Sequence, residues 1–169
     1  MSHNPRNDFR NSANPSEPMS PVPAIMPLGG NVNGFELLDH TADVGVLARG
    51  ETMGEAFAQA ALGMVSVMTD LEGIEAREER EVEVEATDRE ALLVAWLTEF
   101  IYLFGVEGFL PRRIDVLEIS ETRIRAQCSG EKLDPSRHTV QTEVKAATYH
   151  MLEVTEKDGL WQVRVILDI

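Results

Sequence analysis

Apolar residues recur at helical spacing in two parts of the chain, residues 53–68 and the stretch that follows Thr87 and Asp88. The first part begins after a capping box at 52–55, where Thr and Glu lie three positions apart. The second has a broad apolar face, is capped by Thr87 or Asp88, and meets a helix-stopping glycine at Gly105. This pattern predicts two helices, of which the second is the more hydrophobic.

Other parts of the chain alternate apolar and polar residues, which predicts strands with one buried face. Asp158-Gly159, between two such runs, is a strong signal for a hairpin turn. The fold class expected from these elements is α+β, with two helices packed on one face of a mixed, mostly antiparallel sheet of about seven strands. The runs that suggest strands are residues 35–38, 44–49, 80–86, 113–119, 123–129, 139–146, 149–157 and 160–169.

Length and composition fit one folded domain preceded by an extension. The chain has 169 residues, of which 43% are hydrophobic, enough to bury a core. Residues 1–33 hold six of the eight prolines and show no apolar periodicity, so we expect a disordered Pro-rich extension there and a folded domain over 34–169. The chain has neither a run of about 20 apolar residues nor a secretory signal pattern, so no membrane association and a cytoplasmic location are expected.

Charge and cysteine content narrow the classes of function. The net charge is −14, and residues 51–107 alone hold fourteen acids and three bases. Because nucleic-acid binding depends on clustered Lys and Arg, direct contact with nucleic acid is not expected. A single cysteine, Cys128, excludes an internal disulfide and a thiolate metal site. No phosphate-binding loop, nucleophile elbow or H-E-x-x-H motif is present, so no catalytic residue is assigned.

Three acids lie next to apolar strand residues: Asp39 and Asp43 in "LLDHTADVGV", and Asp168 near the end of the chain. A buried carboxylate is costly unless it is paired or metal-bound. Carboxylates without thiolates suit Ca²⁺ or Mg²⁺, whereas added histidines such as His40 would favour Zn²⁺ or Mn²⁺. The alternative is that Asp39 and Asp43 form hydrogen bonds to the backbone of the corner between two strands.

A second candidate stretch is "HTVQTEVKAATYH", with His138 and His150 at its ends. Glu143 and Lys145 are two positions apart and would share one face of a strand. They form a surface ion pair in one interpretation, and in the other Lys145 lies near the acids and neutralises or positions them. The histidines are either structural or metal ligands.

Three motifs, "DHTADVGV", "GEKLDPSRHTVQTEVKAATYHML" and "VRVILDI", resemble the archease family in that order, over about residues 34–169. The resemblance implies an archease-like domain that promotes guanylylation and multiple turnover of an RtcB-type RNA ligase in tRNA splicing or RNA repair, without enzymatic activity of its own. It also implies a divalent cation, Ca²⁺, Mg²⁺ or Mn²⁺ rather than Zn²⁺. The implied metal ligands are Asp43, Asp168 and the carbonyl or terminal carboxylate of Ile169, and the residues implied to support them or the ligase activation are Asp39, His40, His138 and Lys145.

Two other functions stay open on the residues alone. One is a metal-dependent hydrolase of a small phosphorylated substrate, with Asp43, Asp168 and His40 in its site, although no base and nucleophile pair is recognisable. The other is a chaperone-like binding module that uses the hydrophobic face of the second helix, with purely structural acids.

Overall fold

The computed structural model describes residues 32–40 and 43–169, without the side chains of Asp39 and His40. The predicted Pro-rich extension lies outside the described residues except for positions 32 and 33. The described chain forms seven strands, two helices and one short 3-10 turn, Leu71–Gly73. In chain order the elements are β1 (Gly34–His40), β2 (Asp43–Gly50), α1 (Met53–Met68), β3 (Glu78–Glu85), α2 (Arg89–Glu107), β4 (Phe109–Ile119), β5 (Arg123–Lys132), β6 (Ala146–Lys157) and β7 (Leu160–Asp168).

The expected α+β class is confirmed, but the strands form two sheets rather than one. One sheet has the order β1-β2-β7-β6 and the other β3-β5-β4, and every paired strand is antiparallel to its neighbour. Helix α1 contacts β2 and β7 of the first sheet and β4 of the second, so it joins both sheets into one core. Alternation of polar and apolar residues reports that a strand has a buried face, but it does not report which strand lies beside it.

Helix α1 begins as the sequence predicts. The backbone N–H of Glu55 donates to the Thr52 hydroxyl at 3.1 Å, and the Glu55 carboxylate accepts from the Thr52 N–H at 3.2 Å. In α2, the buried Trp96 donates its indole N–H to the carbonyl of Phe57 at 2.9 Å, and this bond ties the two helices together. Among the described residues, no helix combines the length and the apolar character needed to span a membrane.

The start of α2 agrees with the prediction of Thr87 or Asp88 as the cap, whereas its end differs from the predicted stop at Gly105. The α2 cap is Asp88, whose carboxylate accepts from the Ala91 N–H at 2.7 Å, and the helix runs through Gly105 to end at Gly108 with φ 65°. A glycine within a helix costs only about 1 kcal/mol, whereas the left-handed position that closes the helix strongly favours glycine. The predicted hairpin at Asp158-Gly159 is confirmed, with positive φ at both residues.

The stretch 139–145, predicted as a strand, has no regular secondary structure. It runs past the C-terminal end of α1, where the Thr69 hydroxyl donates to the Thr139 carbonyl at 2.9 Å and the Gln141 N–H donates to the Met68 carbonyl at 2.8 Å. The prediction was wrong because these bonds to a helix end replace the ladder of a strand partner. The stretch carries the chain from one sheet to the other, and β6 begins directly after it.

Candidate functional site

The two acids at the ends of the fold are direct neighbours in the sheet. Asp43 is the first residue of β2, Asp168 is the last of β7, and the two are register partners. Directly opposed residues of an antiparallel pair project to the same face, with Cβ atoms about 4.5–5.5 Å apart. Asp43 is half-buried and Asp168 is exposed. The structure therefore brings Asp43 and Asp168 together as the predicted cation site requires.

The same register row continues across all four strands. His40 is the partner of Asp43 on β1, and Ala146 is the partner of Asp168 on β6. Lys145, just before β6, donates its backbone N–H to the Asp168 carbonyl at 2.8 Å, and its side chain is exposed. We call His40, Asp43, Asp168 and Ala146 the acid row. Asp39 lies one position away, opposite Val44, so the structure gives the backbone place of Asp39 and His40 while their side-chain roles stay predictions.

The available donors suit a hard cation. The side chains of Asp43 and Asp168 could offer carboxylate oxygens, and Ile169 could offer a carbonyl or carboxylate oxygen while its side chain packs against the core. Ca²⁺ and Mg²⁺ prefer oxygen ligands and complete their coordination with water. Within the described part of the chain no cluster of three or more His, Cys, Asp or Glu side chains could hold a metal. Such an all-oxygen set of donors would suit the predicted Ca²⁺, Mg²⁺ or Mn²⁺ better than Zn²⁺.

His138 lies in a different environment, where both ring nitrogens are engaged. Its Nε2 lies 2.8 Å from a Glu131 oxygen and 3.1 Å from the Gly73 carbonyl, and its Nδ1 accepts from the Asp134 N–H at 2.8 Å. The Nδ1 lone pair is therefore in use and the proton sits on Nε2. A supporting role for His138 would have to act through the 139–145 stretch that follows it, because neither nitrogen is left for the acid row.

The partner of His138, Glu131, is a buried carboxylate that the sequence did not single out. It is 3% exposed and accepts from the Glu75 N–H at 3.0 Å and from Arg137 at 2.5 Å, in addition to His138. Burial raises the pKa of Glu131, but these hydrogen bonds outweigh burial and lower the pKa to about 2. Glu131 follows the glycine that ends an alternating run, and nothing in that pattern distinguishes it from a solvent-facing acid.

Comparison with known proteins gives one family. The model described as "Archease protein family (MTH1598/TM1083)" matches residues 35–169. The chain is 44% identical over 139 residues to Protein archease of Methanosarcina mazei, covering 80% of this chain and 95% of that protein. It is 42% identical over 139 residues to Protein archease of Thermococcus gammatolerans, with 80% and 98% covered.

Solved structures agree with this result. The solution structure of Methanobacterium thermoautotrophicum protein 1598 has a TM-score of 0.67 and 38% identity, covering 80% of this chain and 99% of that one. A Thermotoga maritima crystal structure, named an archease and possible chaperone, has a TM-score of 0.55, 22% identity and coverages of 78% and 94%, and it supports the fold alone. On the family match, the sequence identities and the shared fold, this chain belongs to the archease family.

Proposed function

We propose that this protein promotes guanylylation and multiple turnover of an RtcB-type RNA ligase in tRNA splicing or RNA repair, in the cytoplasm and without turnover of its own. It acts through a divalent cation held by Asp43, Asp168 and the carbonyl or terminal carboxylate of Ile169. The observation that carries the proposal is the direct register pairing of Asp43 with Asp168, an acid of the first motif and the acid of the last, at one end of the two central strands.

The acid row can do this work for physical reasons. Two carboxylates on adjacent strands repel each other, and a cation between them removes that repulsion. The strand pairing on both sides of Asp168, through Asp43 and Ala146, holds the carboxylates without further ordering when a ligand arrives. When bound, the ion supplies positive charge that offsets charge developing on transferred phosphoryl groups. The backbone N–H of Lys145 is bonded to Asp168, and the exposed Lys145 side chain would bring a second positive charge to this end of the sheet.

The charge balance favours a protein partner over direct contact with RNA. With a net charge of −14 the protein would repel a phosphate backbone over much of its surface. A role in RNA joining therefore runs through the ligase. The acid row would approach the nucleotide site of that ligase, while the acidic remainder of the surface stays away from the RNA.

A reconstituted guanylylation assay tests the proposal. The ligase of the same genome is incubated with GTP and a divalent ion, with or without this protein. Asp43→Asn and Asp168→Asn are expected to lower the stimulation by roughly tenfold or more, because each removes one anionic ligand. Glu156→Gln is the matched control, since it makes the same charge change on exposed β6 at the hairpin end remote from Asp168. Full stimulation by either Asp variant would refute the cation site.

A second measurement needs no ligase. Saturating Mn²⁺ or Ca²⁺ is expected to raise the Tm of the wild type by several degrees, because an ion that binds only the folded state stabilises it. The rise should vanish in Asp43→Asn and persist in Glu156→Gln. A chaperone-like binding module is the second candidate, because the Thermotoga maritima protein with this fold is named a possible chaperone. Undiminished ligase binding in chelator, together with no ion-dependent rise in Tm, would favour that alternative.

A further inference from the structure

Strand β6 leaves regular pairing after Thr148, two register steps from the acid row. Thr148 is opposite Ile166 and Glu153 is opposite Arg164, so residues 149–152 face the single residue Val165. We call residues 149–152 the arch. An insertion of this size bends the strand outward and interrupts its ladder, and such departures are features that a fold maintains rather than defects.

The backbone of the arch is strained, and Arg164 on the neighbouring strand β7 holds it in place. Met151 has φ 54°, a conformation that a long side chain rarely adopts. Its carbonyl accepts from the Nε of Arg164 at 3.0 Å, and the same guanidinium pairs with Glu153 at 3.0 Å. The surrounding sheet thus stabilises a conformation that is unfavourable locally. Strain that a fold retains is a reason to look for a function at that point.

The arch presents an exposed aromatic ring beside the candidate cation site. Tyr149 is 63% exposed, and Val140, on the irregular stretch before β6, is 45% exposed. The exposed Lys145 lies between them in the chain, and its N–H is bonded to Asp168. Three strand steps separate Ala146 of the acid row from Tyr149, a span of about 10 Å. Residues 140–149 therefore expose an aromatic, an aliphatic and a positively charged side chain next to the acid row.

We propose that Tyr149 is the anchor by which this protein binds its ligase partner, on a surface formed by Val140, Lys145 and the arch. This inference rests on the proposed function. A ligase whose nucleotide site meets a cation at Asp43 and Asp168 must also cover the adjoining start of β6, so the surface is continuous with the acid row. Tyrosine is among the residue types that dominate binding energy at protein interfaces, because it buries a large rigid group and keeps a polar tip.

The proposal separates two roles along one segment. Tyr149 determines how tightly the ligase is held, whereas Asp43 and Asp168 determine how fast the bound ligase reacts. A substitution of Tyr149 should therefore change the concentration of this protein needed for half-maximal stimulation, and it should leave the maximal rate at saturation unchanged. An Asp43 substitution should do the reverse.

The test measures binding and stimulation separately on the full-length protein and the ligase of the same genome. Tyr149→Ala is expected to raise the Kd by about thirtyfold, the size of an anchor residue at an interface. Tyr149→Phe should stay within about threefold of the wild type, because the ring remains. The matched control is Tyr102→Ala, since Tyr102 is 55% exposed on α2 and should stay within about twofold. Equal Tm values for all variants would show that the fold is intact.

The possible outcomes separate a failure of the Tyr149 anchor from a failure of the proposed activation. Wild-type binding by Tyr149→Ala, or equal weakening by Tyr102→Ala, would overturn the anchor even if the protein stimulates the ligase. Tyr149-dependent binding without any stimulation would uphold the anchor and refute the proposed activation. If the wild type does not bind the ligase, both proposals fall.

Discussion

Replacement of Glu131 by glutamine tests whether the buried Glu131 carboxylate stabilises the fold through its bonds to Glu75, His138 and Arg137. The Glu131 carboxylate accepts from the Glu75 N–H and His138 through one oxygen and from Arg137 through the other, which also forms an ion pair with Arg77 at 3.3 Å. A glutamine keeps one carbonyl oxygen for the first two donors. Its NH₂ group then faces two guanidinium groups that are themselves donors. The hydrogen bond from Arg137 and the ion pair with Arg77 are therefore both lost.

The magnitude follows from the exposure of the two arginines. A hydrogen bond to a charged group contributes about 1.5–3 kcal/mol. The Arg77 side chain is 60% exposed, so water replaces that contact at almost no cost, whereas the contact of the less exposed Arg137 counts nearly in full. We expect Glu131→Gln to lower the free energy of unfolding by about 2–3 kcal/mol. At about 3 °C per kcal/mol for a domain of this size, Tm falls by roughly 6–9 °C.

Urea and thermal unfolding followed by circular dichroism would measure this change. Glu72→Gln is the matched control, because Glu72 is an exposed acid of the neighbouring 3-10 turn whose contact to Arg112 is 4.0 Å long. That variant should stay within about 0.5 kcal/mol of the wild type. A loss below about 0.5 kcal/mol in Glu131→Gln itself would refute the assignment of Glu131 as a stabilising buried anion.

The same pair of proteins gives a pH dependence with a defined sign. The pKa of Glu131 is lowered from 4.5 to about 2, so the folded state favours the ionised carboxylate. Its contribution is fully present above the unfolded pKa and is lost as the pH falls from about 4.5 to about 2. The difference in unfolding free energy between wild type and Glu131→Gln should therefore shrink across that range. A constant difference would contradict the lowered pKa.

The remaining predictions concern two glycines and the buried cysteine. Gly63→Ala should lower the free energy of unfolding by about 1–3 kcal/mol, because its Cβ would lie 2.7 Å from Val46 Cγ1. Gly105→Ala, with nothing within 4 Å, should raise it by up to about 1 kcal/mol. A gain for Gly63→Ala or a loss for Gly105→Ala in urea unfolding would contradict this packing. Cys128 should resist thiol reagents at pH 8 until the protein unfolds, because burial, together with Asp115, raises its pKa to about 12; rapid labelling of the native protein would show that the thiol is accessible.

Local signals in the sequence located most elements of the fold. The capping box at 52–55 and the helical spacing after it predicted α1 with its observed bounds, Met53–Met68. Asp158-Gly159 predicted the β6–β7 hairpin because both residues tolerate positive φ. These features depend on residues a few positions apart, so they could be read without knowledge of the rest of the chain. The end of α2 could not, because two glycines, Gly105 and Gly108, compete there, and packing decides between them.

The candidate site needed more than local signals. Its acids could be named from motifs and a family resemblance, but their spacing in the chain alone favoured turn-forming aspartates. The pairing of Asp43 with Asp168 is a property of strand register. Cation binding there, and the roles of Asp39, His40 and Lys145, stay predictions that the assays above address. The place of His138 could not be predicted, since its partner Glu131 has no distinguishing pattern around it.

The sequence by itself determined the two helices, the alternating strands, the hairpin turn and the acidic character of the chain. Periodicity and caps depend on residues a few positions apart, and net charge depends on composition alone. Only the tertiary structure decided that the strands form two sheets, that residues 139–145 bond to the end of α1, that β6 arches at 149–152, and that Glu131 is buried against His138. These features depend on contacts between residues distant in the chain, where many arrangements satisfy the same pattern and the packing of the whole core selects one.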